Sequence, residues 1–130
     1  MRILGIDYGD KKIGLALGDS GANLAVPLEV ISNIGERTIK GLVNKIHSED
    51  FQKVVVGVPL STGGHHGPEQ LNKTRVFIEK LKSQISVPIV EEDESYTSSE
   101  SIRLQKEEGA IAAEDALAAM LIVEQYLGRN

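Results

Sequence analysis

Short apolar runs broken by turn residues fill the first thirty positions; beyond them the apolar residues recur at helical spacing, and that change of period divides the chain. Arg2–Asp7 (RILGID) closes on an aspartate, and Lys12–Asp19 (KIGLALGD) resumes the pattern after Tyr8-Gly9-Asp10. Runs of this length bounded by Gly and Asp predict strands, and so short a link predicts a hairpin. A third strand, Leu24–Ser32, follows the turn Ser20-Gly21-Ala22-Asn23. Its Pro27 has no backbone donor, which suits an edge position. Three strands with short links predict an antiparallel meander.

After the breaker Gly35, residues Ile39, Leu42, Val43 and Ile46 predict a helix over 37–47. Lys53–Leu60 (KVVVGVPL) is a dense β-branched run, the pattern of a strand buried on both faces. Leu71, Phe77, Ile78, Leu81 and Ile85 predict a second helix starting near Pro68, and Val87–Glu94 a short fifth strand. Residues 97–105 and 112–127 read as two helices around Gly109-Ala110. The order β-β-β-α-β-α-β-α-α predicts an α/β fold, with one mixed five-stranded sheet whose later strands run parallel and whose faces are covered by helices. At 130 residues the chain suits a single domain over 1–130. Ser61–Gly67 (STGGHHG) has no apolar anchor and is expected to be a mobile loop.

Composition narrows the chemistry. The chain has no cysteine, which excludes disulfides and thiolate zinc sites. No window approaches the roughly 20 apolar residues of a membrane span, and Asp7, Asp10, Lys11 and Lys12 interrupt any N-terminal signal segment, so a cytoplasmic protein without membrane contact is expected. The net charge of −5 opposes a broad phosphate-binding surface, although a local basic surface can coexist with an acidic metal site.

Ligands of parallel sheets gather beyond the carboxyl ends of the strands. Asp7 ends the first strand, Glu92, Asp93 and Glu94 end the fifth, and Asp115 sits near the start of the last helix, followed by Ala116, Ala118 and Ala119. If the two strand ends share an edge, alanines let that helix approach closely enough for Asp115 to meet Asp7. Carboxylates brought together repel unless a cation compensates, and hard divalent ions with oxygen ligands serve phosphodiester hydrolysis. Each residue also has a plainer reading. A strand-end Asp is commonly a turn former, which fits Asp10 and Asp19; Asp115 can favour a helix dipole; and Glu91–Glu94 can be a solvated strand exit. His65 and His66 suit contacts to substrate phosphates better than zinc, since no cysteine joins them and His47 lies on a separate helix.

Four segments in order carry a resemblance that spans essentially the whole chain. GIDYGDKKIGLALGD is similar to the D-x-G-x-(K/R)-x-G-x-A segment of the YqgF family, also called RuvX-like, the pre-16S rRNA nucleases that look like Holliday-junction resolvases. VVVGVPLSTGGHHGPEQ, DESYTSSES and EDALAAMLIVEQYL resemble its remaining motifs. The resemblance implies a ribonuclease H-like fold and a divalent-metal nuclease site using Mg²⁺ or Mn²⁺. By motif position Asp7, Glu94 and Asp115 are its metal-binding catalytic carboxylates, with Gly9 and Lys12 at substrate phosphate. The implied activity is phosphodiester hydrolysis in precursor 16S ribosomal RNA. A structured DNA junction is the second choice of substrate, and a non-catalytic nucleic-acid-binding or ribosome-assembly factor the alternative of a different class. A monomer or a homodimer fits. Two departures bear on substrate. Ser95 stands where the family usually has arginine, and LSTGGHH lacks the asparagine and aspartate often found there. Lys73, Arg75 or Arg103 could supply the missing phosphate contact.

Overall fold

The computed structural model describes residues 1–60, 67–94 and 113–129. Strands β1 (Arg2–Tyr8), β2 (Lys12–Asp19), β3 (Leu24–Ser32), β4 (Lys53–Val58) and β5 (Ile89–Asp93) form one sheet in the order β3-β2-β1-β4-β5. The first three make the expected antiparallel meander, while β4 joins β1, and β5 joins β4, in parallel. Helices α1 (Glu36–Ser48), α2 (Gly67–Lys82) and α3 (Glu114–Arg129) complete the described fold. The segments read as a helix over 97–105 and as a mobile loop lie outside the described residues, apart from Gly67, which opens α2.

Strand alternation sorts the side chains onto two faces. On one, Leu4, Ile6, Leu15 and Val56 pack against α1 through Ile39 and Leu42 and against α2 through Phe77 and Leu81. On the other, Ala16 lies under Leu117, Ala119 and Val123 of α3, and Ile3 and Val55 under its Ile122 and Tyr126. The β-branched run of β4 is buried from Val54 to Val58, as a strand sandwiched between helices must be.

Proline sets the strand ends that differ from the sequence reading. β4 stops at Val58 rather than Leu60 because Pro59 has no N–H for the ladder. β5 starts at Ile89 rather than Val87: Pro88 cannot donate, and only its carbonyl takes part, accepting from Val54 N at 3.0 Å. On β3, the edge strand that Pro27 predicts, a bulge places Ala16 opposite Pro27 and Leu15 opposite Glu29, leaving Leu28 as the extra residue. β1 reaches Tyr8, which pairs with Ile13 across the hairpin.

Candidate active site

The parallel register brings the carboxyl ends of β1, β4 and β5 to the same end of the sheet. β1 and β5 do not share an edge; β4 separates them. What allows their carboxylates to meet is a glycine on each side of Asp7. Gly14 on β2 is its direct partner, and one further step of the β1–β4 register puts Gly57 on its other flank. A Cβ on Gly14 would collide with the backbone of Asp115, so the N-terminus of α3 rests on that glycine. A Cβ on Gly57 would collide with Ile122 and lie 3.3 Å from the Cβ of Glu94, so β4 leaves a gap across which Glu94 leans. The alanines of α3 make the helix side of the contact smooth, and the strand glycines make the sheet side deep enough.

Asp7 shows the electrostatic result. Its pKa is raised from 3.8 to about 8, first by burial, then by the charges of Glu94 and Asp115, and further by a hydrogen bond with Glu94 that favours the protonated form. Near neutral pH and without a cation, Asp7 and Glu94 therefore share one proton, with Asp115 within coulombic reach. Among the described residues no three His, Asp or Glu side chains close to the spacing of an assembled metal site. Two acids sharing a proton beside a third negative group is how such a set relieves its repulsion. A hard divalent ion would relieve it by replacing the proton, and the all-oxygen donor set fits Mg²⁺ or Mn²⁺.

The acidic run before Glu94 divides by residue and is not a uniformly solvated exit. Glu91 accepts hydrogen bonds from two of the three guanidinium nitrogens of Arg75, Nη2 at 3.1 Å and Nε at 3.2 Å. Glu92 is buried, only 1% exposed, and binds Gln125 and Arg129 of α3. Asp19 is the turn former its position suggested: its Oδ1 accepts from Gly21 N at 2.8 Å and Ala22 N at 3.3 Å, bonds that lower its pKa, the one from Ala22 most.

The β1–β2 turn carries Gly9, and Lys12 opens β2 with its side chain exposed. A residue that sequence reasoning missed anchors this turn. Asn33 donates through Nδ2 to Gly9 O at 2.8 Å and through its backbone N–H to Lys11 O, also at 2.8 Å. An asparagine just past a strand and two residues before a glycine reads as an ordinary turn residue, so nothing in its setting pointed to this role. Of the cations considered for phosphate, Arg75 is occupied by Glu91, whereas Lys73 reaches the hairpin, its Nζ 3.4 Å from Asp10 Oδ2. His65, His66, Ser95 and Arg103 lie outside the described residues.

Comparison with known proteins identifies the family and the fold. The family model described as RuvX, Holliday junction resolvase, matches residues 1–129. A protein of Sulfurihydrogenibium sp. is 38% identical over 98% of this chain and 90% of its own length. One of Desulforudis audaxviator is 34% identical over 100% and 99%, respectively. Both carry the provisional name of pre-16S rRNA nuclease. Among solved structures, Thermus thermophilus RuvC superposes with a TM-score of 0.66 at 16% identity, covering 99% of this chain and 95% of that one. The fowlpox virus resolvase in complex with Holliday junction DNA gives a TM-score of 0.61 at 12% identity, covering 99% and 98%. At these identities the structural likeness establishes the fold, which is ribonuclease H-like, while the sequence match over nearly the full length establishes the kinship: the chain belongs to the RuvX, or YqgF, family of nucleases.

Proposed function

We propose that this chain is a divalent-metal-dependent nuclease that hydrolyses phosphodiester bonds in precursor 16S ribosomal RNA, with Asp7, Glu94 and Asp115 as its metal-binding catalytic residues. The observation that carries this reading is the convergence of three acids: Gly14 lets the backbone of Asp115 rest against β2 beside Asp7, and Gly57 lets Glu94 lean across β4 toward it, a crowding that raises the pKa of Asp7. Three acids drawn from β1, the residue just past β5 and the start of α3 are a costly arrangement for a scaffold and a useful one for a cation. A bound Mg²⁺ or Mn²⁺ would activate water for attack and stabilise the leaving oxygen. Asp7, fixed on the central strand, sets the position of the site. Glu94, hydrogen-bonded to Asp7 in the metal-free site, would serve as a second carboxylate ligand once a cation displaces the shared proton to solvent. Asp115 brings a third oxygen donor from the helix. Gly9 lets the substrate backbone approach the hairpin turn, and Lys12, with His65 and His66, contacts its phosphates.

The names of the curated relatives favour ribosomal RNA. The description of the family model favours a DNA four-way junction as the second substrate. Both are tested together by incubating end-labelled precursor 16S rRNA and a labelled junction with Mn²⁺, with chelator, and with D7N as the control for contaminating nuclease. Metal-dependent cutting of the RNA, lost in D7N, is expected. Cutting of the junction alone would transfer the assignment to DNA. Cutting of neither, with Mn²⁺ still raising the melting temperature, would leave a binding or assembly factor.

A further inference from the structure

Glu92 lies on β5 two residues before Glu94, which follows directly after the strand, and its side chain is fully buried at 0% exposure. The same face of β5 carries Val90, which packs against the apolar cluster of Ile3, Val55, Ile122 and Tyr126 under α3. Burying a carboxylate there is expensive, and an apolar residue of similar volume would commonly hold such a place at equal or better stability. The chain instead spends two polar residues of α3 on it. Gln125 Nε2 donates to Glu92 Oε2 at 2.6 Å and to the Asp93 carbonyl at 3.0 Å, and Arg129 donates to Glu92 Oε1. These bonds join the strand that leads into Glu94 to the helix whose first turn carries Asp115.

We infer that Glu92 is a positioning residue: its bonds to Gln125 and Arg129 lock β5 to α3 and so hold Glu94 and Asp115 at a fixed separation around Asp7. Among the described residues β5 is bordered by β4 on one side only, so there a single ladder holds it within the sheet. Apolar packing against α3 resists separation but allows sliding. Directional bonds from two successive turns of the helix to one carboxylate fix the register as well. Glu92 thereby acts on the site through Glu94 and Asp115, without touching substrate.

The inference rests on the metal-site reading, and the experiment separates the two. The full chain is compared as wild type, E92Q and E92M. Methionine keeps the volume and removes the buried charge, so E92M is expected to melt close to wild type. Its Mn²⁺ dissociation constant, measured by calorimetry, is expected to rise about tenfold, the scale seen when partners that orient metal ligands are removed. Cleavage should lose kcat with KM unchanged, and E92Q should fall between the two. An E92M that folds and binds Mn²⁺ as wild type does overturns the inference, and should E92M fail to fold, E92Q carries the same comparison. If wild type itself binds no Mn²⁺, the metal reading fails, and the lock is judged by amide exchange in the metal-free protein. Faster exchange at 89–93 in the variants, with β4 unchanged, supports it, and equal exchange overturns it.

Discussion

Asp7 stands between Gly14 and Gly57, and its proton balance follows from what those two glycines admit: the start of α3 on one side and Glu94 on the other. The aspartate was legible in the sequence because a carboxylate ending an apolar strand is conspicuous. The glycines were not, since a strand glycine marks a bulge, a bend or a close approach, and only the packed helix tells which. The consequence for stability has a definite sign. Below a pH near 3.8 Asp7 is protonated folded or unfolded, and nothing is lost. Between that pH and about 8 the unfolded chain gives up the proton while the folded chain keeps it, so the metal-free protein loses stability as pH rises through this window and levels off above it. D7N removes the titrating group. Thermal melts from pH 4 to 9 without metal should show D7N more stable than wild type at pH 8, with a flatter profile. An unchanged slope would mean that Asp7 ionises normally. By the same linkage Mn²⁺ competes with the proton, so its stabilisation of wild type should grow with pH up to about 8 and be absent in D7N.

At the scale of elements, α3 and the β1–β2 hairpin are the two parts whose placement the site depends on. G14A puts a methyl group into the backbone of Asp115. Overpacking of this kind costs roughly 1–3 kcal/mol, and the shift of the helix start should reduce Mn²⁺ affinity further than destabilisation alone explains. Urea unfolding gives the first quantity and Mn²⁺ titration the second; a G14A protein with wild-type affinity would show that α3 does not need that contact. N33A frees the Gly9 carbonyl for a loss of about 1 kcal/mol. Steady-state cleavage should then show a raised KM with little change in kcat, because Gly9 and Lys12 serve binding. The antiparallel meander, the parallel later strands and the helices on the faces followed from hydrophobic period and from the short links, whereas the place of β4 between β1 and β5 did not. Strand ends were misjudged where Pro59 and Pro88 remove donors, since an apolar run continues through a proline that a hydrogen-bond ladder does not. The roles of Glu91 and Glu92 were hidden for a different reason: four adjacent acids look alike until strand alternation assigns each a face and a helix brings its partners.

Across the whole molecule the charge is adverse to the proposed substrate. With a net charge of −5, attraction to RNA must come from local cations, and exposed Lys11, Lys12 and Lys73 lie at or beside the hairpin turn. So few phosphate contacts predict a shallow salt dependence, with a slope of log KM against log salt of roughly 2; a slope several times steeper would place the RNA on a larger basic surface. The central claim is that Asp7, Glu94 and Asp115 close around a divalent ion. Anomalous diffraction from crystals grown with Mn²⁺ tests it most directly. The expected map has a peak bonded at roughly 2.1 Å to carboxylate oxygens of Asp7 and at least one of the other two. Crystals saturated with Mn²⁺ that show no peak there, with Asp7 and Glu94 still sharing their hydrogen bond, would contradict it.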